Sequence, residues 1–329
     1  MDNQSFTNIR MENIQKHNIG RKISNWYALN GRQNLPWREN VTPYRVWISE
    51  IMLQQTQVST AIKFFEKFMD KYSDLEAIRT ATEDDIYALW SGLGYYRRAS
   101  YIFKAKEVIH ADFNGIMPDN FDDLMSLPGI GRSTAGAILS IAFNKPYPIL
   151  DANVKKVISR IYFKEHFEEK SFWSLSEQIL DRNDLFSFQQ GVMDLGSQLC
   201  LPKNPKCNQC PINNNCKANE KGSFPLMKKK SVIRKREFLT FQLIEDDDKI
   251  FLTKSDELGY WKNLWIPPVK KEQQNQVDLI HNLTHRELNI SFIKNNDLCS
   301  PTLGRWFRKA ELKKIAMPKP ISDKLIKYG

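Results

Sequence analysis

Four of the five cysteines in this 329-residue chain fall within seventeen residues, at Cys200, Cys207, Cys210 and Cys216, with six, two and five residues between them. Four thiols at such spacing can hold one metal centre, and the metal then dictates how the segment folds. Zinc accepts four sulfurs, but its usual layout is two tight pairs separated by a longer loop. Only Cys207 and Cys210 form such a pair here. An iron–sulfur cube accepts a single–pair–single run, because each sulfur reaches a different iron. The spacing therefore favours one [4Fe-4S] cluster over zinc. A disulfide framework is disfavoured, since the rest of the chain holds only Cys299. The polar stretch Met1–Lys22, with Asp2 and Glu12, reads as neither a signal peptide nor an acid-poor transit peptide. Reduced thiols without a targeting segment lead us to expect a reducing cytoplasm.

The length suggests two domains, and 41% hydrophobic residues suffices for true cores. No apolar run approaches the ~20 residues of a membrane span, so no membrane partner is expected. The formal net charge of +10 suits a polyanionic partner. From Ile23 to Leu199 the apolar spacing is helical nearly throughout. It predicts a long helix over Val46–Met69, then helices at Asp84–Trp90, Arg98–His110, Phe121–Leu127, Arg132–Phe143, Asn153–Phe163, Phe172–Leu180 and Gln189–Leu199. Asp119 or Asn120 would cap the fourth of these. Lys221–Arg236, rich in Lys and Arg and without periodicity, reads as an exposed basic linker. Beyond it, Phe238–Ile244 and Lys249–Thr253 alternate like strands around the acidic turn Glu245–Asp248. The expected organisation is an N-terminal extension (1–22), an all-α domain (23–220) ending in the cysteine loop (200–216), a basic linker (221–236) and a smaller α+β domain (237–329).

Three constellations carry chemistry. Gly129 and Gly131, in Leu127-Pro128-Gly129-Ile130-Gly131, allow a tight turn, and the helix opening at Arg132 points free N–H groups outward. With the helix before it, this makes a helix–hairpin–helix, a device for gripping a DNA backbone. Asp151 follows an apolar stretch and precedes a helix, so it reads either as an N-cap or as a reactive carboxylate. Glu50 stands among apolar neighbours; if buried, it would keep its proton as a general acid must. Gln54, four residues on, would share its face. In Ser91–Arg98, Tyr95 could stack against a base while Arg97 and Arg98 hold phosphates or simply face solvent.

The hairpin, the aspartate about twenty residues on and the Cys-x6-Cys-x2-Cys-x5-Cys cluster together resemble the endonuclease III superfamily of DNA glycosylases. Within it, VWISEIMLQQTQV (Val46–Val58), GLGYY (Gly92–Tyr96) and LPGIGRSTAGAIL (Leu127–Leu139) resemble the adenine DNA glycosylase, or MutY, family. The resemblance implies a mainly α helix–hairpin–helix glycosylase fold with an iron–sulfur loop. It also implies a small Nudix-like α+β C-terminal domain. The implied activity is monofunctional: hydrolysis of the N-glycosidic bond of adenine mispaired with 8-oxoguanine or guanine in duplex DNA, as part of base excision repair. Glu50 resembles the acid that protonates adenine N7. Asp151 resembles the carboxylate that stabilises the oxocarbenium-like sugar, and Asn153 its orienting neighbour. Gln54 and Tyr95 resemble residues that intrude where the base is flipped out. Arg32, Trp37 and Gln190 match positions lining the adenine pocket. Gly129, Gly131 and Arg132 match the DNA-backbone hairpin. Ser133 stands where bifunctional members carry their Schiff-base lysine, so no imine chemistry is expected. The implied molecule is a monomer acting on nucleoid DNA in a bacterial cytoplasm.

The C-terminal part departs from the pattern. The family's Phe-Ser-His lesion motif stands here as Leu283-Thr284-His285, so Thr284 and His285 are its candidate readers of 8-oxoguanine. The connections on either side, to Pro268 and from Thr302 to Trp306, are abbreviated, and no Nudix box of glutamates is present. Rival readings are a bifunctional thymine-glycol or mismatch glycosylase of the same superfamily, a non-catalytic iron–sulfur DNA-binding protein, and a zinc-finger regulator. Cys299 reads as an ordinary thiol.

Overall fold

A computed structural model describes residues 19–164, 168–225, 233–254, 258–295 and 304–327. Cys299, Thr302, residues 1–18 of the N-terminal extension and 226–232 of the basic stretch lie outside them. Contacts divide the chain into two compact units, residues 1–79 with 104–228 and residues 80–103 with 229–329. A linear division at 220 and 237 is therefore not the one the contacts draw. Segment 80–103 is tied into the second unit by Lys254 on Asp84 (2.8 Å), Asn263 donating to Glu83 (3.2 Å) and the Tyr96 hydroxyl donating to the Met317 carbonyl (2.9 Å).

The helices are α1 (19–30), α2 (Pro43–Leu53), α3 (Val58–Lys71), α4 (Glu83–Trp90), α5 (Arg97–Asp112), α6 (Phe121–Ser126), α7 (Arg132–Ala137), α8 (Ala152–Ile161), α9 (Glu169–Gln178), α10 (Leu185–Gln198), α11 (Lys217–Glu220) and α12 (Lys319–Lys327). The single helix expected over Val46–Met69 is two. Gln55 takes a left-handed φ of 56°, which stops the i→i−4 ladder, and α3 restarts at Val58. Gln54 is thus the C-cap of α2 rather than a mid-helix residue. The helix expected over Arg132–Phe143 also changes character, because α7 runs straight into a π-turn at Ile138–Ala142. There Ser140 donates to the Gly136 carbonyl (2.7 Å), and the Pro148 carbonyl approaches Gly136 to within 2.4 Å of where a Cβ would stand. Asn120 caps α6 by accepting from the Asp123 N–H (3.0 Å).

The first unit's core joins Ile23 of α1, Val157, Ile158 and Ile161 of α8 and Phe188, Val192 and Leu195 of α10, with Cys200 and Cys210 packed against it. Helix α8 therefore runs from Asp151 at its N-cap to the cysteine loop at its far end. Ten helical residues rise about 15 Å.

The second unit carries two four-stranded sheets. Its strands are β1 (Lys235–Leu243), β2 (Glu245–Asp246), β3 (Lys249–Lys254), β4 (Trp265–Ile266), β5 (Val269–Lys270), β6 (Leu279–Asn282), β7 (Arg286–Lys294) and β8 (Gly304–Arg308). One sheet has the order β5-β1-β7-β6; in the other, β3 pairs with β2, β4 and β8. The two strands expected around the acidic turn exist, but β1 and β3 lie in different sheets. The turn itself is a short hairpin of β2 on β3, with Glu245 opposite Ile250. Lys235 and Arg236, read as linker, open β1 and pair in parallel with Arg286 and Glu287 of β7. The sheets' inner faces and α12 share a core of Leu239, Phe241, Ile250, Leu252, Ile290 and Ile321.

Candidate active site

A cavity of about 330 Å³ in the first unit is lined by Glu50 from α2, Asp151 from the cap of α8, Ser133 and Thr134 from α7, and Gln190 and Met193 from α10. A volume of this size admits one nucleobase with part of its sugar. The two carboxyls enter the cavity for local reasons. Glu50 lies between Ser49 and Ile51, both buried, so the packing of α2 turns it into the protein rather than toward water. Asp151 is half-buried because it caps α8, accepting from the Val154 N–H (2.7 Å) and the Asn153 amide (3.4 Å). Burial pushes the Glu50 carboxyl up to about 7; the Asp151 charge adds to the rise and Arg38 opposes it. Burial also raises Asp151, but the Val154 and Asn153 donors and the charge of Lys156 favour its ionised form. Burial therefore favours the protonated form of Glu50, while the donors around Asp151 favour its ionised form.

The other residues expected in the pocket surround this pair. Arg32, Trp37, Gln54, Asn153 and Gln190 all line the cavity. Trp37 is fixed edge-on against Phe65 (5.5 Å between ring centroids). The Ser133 hydroxyl accepts from the Leu150 N–H (3.2 Å), so the residue at the imine-forming position instead ties the hairpin helix to the Asp151 segment. Gly129 turns at φ 81°, a left-handed value suited to glycine. Gly131 caps α7 with ordinary φ and nothing within 4 Å of where its Cβ would stand. The exposed Arg132 stacks over Trp173 (4.1 Å).

Three expected residues belong to the second unit. Tyr95 is half exposed, at φ 51° in the glycine turn. Thr284 and His285 are exposed in the turn from β6 to β7. Arg98 corrects the expectation of a phosphate holder. It is buried, donates to the Gly94 carbonyl (3.0 Å) and lies over Trp90 (5.3 Å). Sequence reading missed Arg38, which lines the cavity, and Asp194, which bonds both Arg32 and Arg38 from behind. Their only signal is one acid in the apolar stretch Gly191–Leu195 and one arginine after Trp37, neither of which names its partner.

The four cysteines line a second, smaller cavity together with Val157, Arg160, Leu195 and Leu199. Buried Arg160 donates to the Cys200 sulfur (3.3 Å) and to the carbonyls of Leu201 (2.7 Å) and Pro202 (3.1 Å). Burial pushes the Cys210 thiol up to about 12, with the charges of Cys200, Cys216 and Cys207 adding to the rise. Burial also raises the Cys207 and Cys216 thiols; four cysteines beside one buried cation fit a metal centre whose charge would turn them into thiolates. Among the described residues no three Cys, His, Asp or Glu side chains converge tightly enough to hold a single ion. All four cysteines border the one cavity.

Comparison with known proteins gives the family. Residues 48–178 match the HhH-GPD superfamily of base excision DNA repair proteins. An adenine DNA glycosylase of Buchnera aphidicola subsp. Schizaphis graminum is 39% identical over 332 residues, covering 91% of this chain and 95% of the relative. The enzyme of the same name from Buchnera aphidicola subsp. Acyrthosiphon pisum is 40% identical over 290 residues, covering 86% and 82%. Among solved structures, a thermostable thymine-DNA glycosylase superposes with a TM-score of 0.59 at 29% identity, over 64% of this chain and 99% of its own. The likeness to that thymine enzyme covers 64% of this chain, whereas the likeness to the two adenine enzymes covers 91% and 86% of it. This chain belongs to the adenine DNA glycosylase family.

Proposed function

We propose that the 330 Å³ cavity is the adenine pocket of this DNA N-glycosylase, with Glu50 as general acid and Asp151 as the carboxylate that stabilises the sugar cation. The observation that carries the reading is that both carboxyls line one base-sized cavity, with burial keeping the proton on Glu50 and helix-end donors favouring ionised Asp151. The duplex is gripped at Gly129, Gly131 and Arg132, and the adenosine is flipped into the cavity. Gln54 and Tyr95 fill the vacated stack. Glu50 gives its proton to adenine N7, so that the base leaves neutral. The N-glycosidic electron pair departs with the base, and the resulting oxocarbenium-like carbon faces ionised Asp151. Asn153 orients that carboxylate, and Arg32, Trp37 and Gln190 hold the base. Water then adds to the sugar carbon and loses a proton, leaving an abasic site. Ser133 supplies no amine, so the enzyme is monofunctional.

The substrate is double-stranded DNA with adenine opposite 8-oxoguanine or guanine. Thr284 and His285 are the candidate readers of the opposite base, and their exposed turn supports that role. Cys200, Cys207, Cys210 and Cys216 would hold a [4Fe-4S] cluster, whose contribution is to hold the loop's shape; hydrolysis moves no electron. No described helix is long and apolar enough to cross a membrane. The protein acts as a monomer on nucleoid DNA.

Single-turnover cleavage tests the reading. Glu50→Gln and Asp151→Asn should each lower adenine release by at least about 10³-fold while the mispaired duplex is still bound. A near-normal rate in either variant overturns the assignment. The same assay should show faster release opposite 8-oxoguanine than opposite guanine, and equal rates would remove the lesion-reading role.

A further inference from the structure

One buried carboxylate organises the cavity wall facing Glu50. Asp194 is 0% exposed and accepts five N–H bonds. Arg32 supplies its backbone N–H (2.9 Å), Nε (3.0 Å) and Nη2 (2.5 Å), and Arg38 supplies Nη1 (2.8 Å) and Nη2 (2.9 Å). Arg38 also donates to the Arg32 carbonyl (2.9 Å) and lies over the Tyr27 ring (5.4 Å). Its side chain is only 3% exposed, so its charge is barely screened by water. Asp194 itself stays behind the wall, while both arginines line the cavity. The charged groups in that lining are Arg32 and Arg38 from the turn after α1, Glu50 from α2 and Asp151 from the cap of α8; α7 and α10 contribute neutral side chains. Lys156, one turn into α8, acts on Asp151.

We propose that Asp194 is a positioning residue for base excision. By holding Arg32 and Arg38 in one ion-paired wall, it sets how much of their charge reaches Glu50, and so the pH range over which the cavity can deliver a proton. Two guanidiniums against one carboxylate leave a net positive wall, which opposes the proton on Glu50. Neutralising Asp194 enlarges that opposition, and removing Arg38 relieves it. The inference rests on the reading of Glu50 as the acid.

The test is the single-turnover rate of adenine release from a duplex with adenine opposite 8-oxoguanine, followed across about pH 5 to 9. The alkaline limb marks loss of the proton from the acid, and its position does not depend on how much of a sample is folded. Asp194→Asn should move the limb to lower pH by about one unit, a tenfold change of rate on the limb. Arg38→Gln should move it to higher pH, and the double variant should fall between the two. A merely structural role would scale the rate at every pH and leave the limb in place. If Asp194→Asn fails to fold, Arg38→Gln decides alone: an upward move supports the proposal and an unmoved limb overturns it. Unmoved limbs in both variants, with a wild-type limb present and Glu50→Gln inactive, sink this proposal and leave the acid assignment standing. Absence of any wild-type limb, or an active Glu50→Gln, sinks the acid assignment first.

Discussion

Glu50 gains its chemistry at a cost in stability, and the sign of that cost can be measured. Its carboxyl is raised from 4.5 to about 7 in the folded chain by burial and by the nearby Asp151. The folded state therefore holds a proton that the unfolded chain releases between those two values, and stability falls as pH rises through this window. Below the unfolded value the penalty vanishes. Glu50→Gln should raise the free energy of unfolding by about 1–2 kcal/mol at pH 8 and leave it unchanged near pH 4, allowing for solvent screening of a half-buried group. Urea denaturation at the two pH values checks this; an equal gain at both would mean that the cavity's shape, not the charge, sets the cost. At this scale the sequence was informative where a residue sits in a recognisable string. Glu50 in the Val46–Val58 run, Asp151 after Ile149-Leu150 and Gln190 were all legible, and all three line the cavity. Asp194 and Arg38 were not, because their meaning lies in a pairing across 156 residues that no local pattern records.

At the scale of elements, the glycines divide by what surrounds them. Gly196 lets α10 pass α8 closely: a Cβ there would stand 2.7 Å from the Asn153 Cβ and 3.0 Å from its carbonyl oxygen. Gly196→Ala should push the start of α8, and with it Asp151, away from the sugar. Single-turnover release should fall by about 10²-fold, with a loss of stability of about 1–3 kcal/mol in urea melts. Gly131 has open space and ordinary φ, so the fold does not require its missing Cβ. Gly131→Ala should cost within about 1 kcal/mol of stability yet weaken duplex binding, because the close approach it permits is to the partner. Helix existence was legible nearly everywhere in the first unit, since a 3.6-residue apolar period survives even where a helix breaks. The break itself was not. Val46–Met69 keeps its period across Gln54–Gln57, and only the left-handed Gln55 shows that the ladder stops there. In the second unit, alternation identified β1 and β3, but pairing is non-local, and their separation into two sheets left no trace in either strand.

For the whole molecule, the cysteine loop is continuous with the first unit's core rather than an appendage. Cys200 and Cys210 pack on the same cluster as Val157, Ile161 and Leu195, and Arg160 ties the loop to α8. Cys210→Ser should therefore purify without yellow-brown absorbance and melt at least about 5 °C lower, read by visible spectra and circular dichroism. A coloured, equally stable variant would show that this thiol is not a ligand. The net charge of +10 and the hairpin both favour a polyanion, and the chain's likeness to adenine DNA glycosylases covers 91% of its length. By itself the sequence determined the helical class and the family and pointed to the cysteine-rich segment and to Glu50 and Asp151, because each is written in short-range spacing. Only the tertiary structure decided that 80–103 groups with the C-terminal sheets, that Arg98 is buried, and that Asp194 stands behind Arg32 and Arg38. These depend on which distant surfaces exclude water from one another, and burial is a property of the folded neighbourhood rather than of the residue.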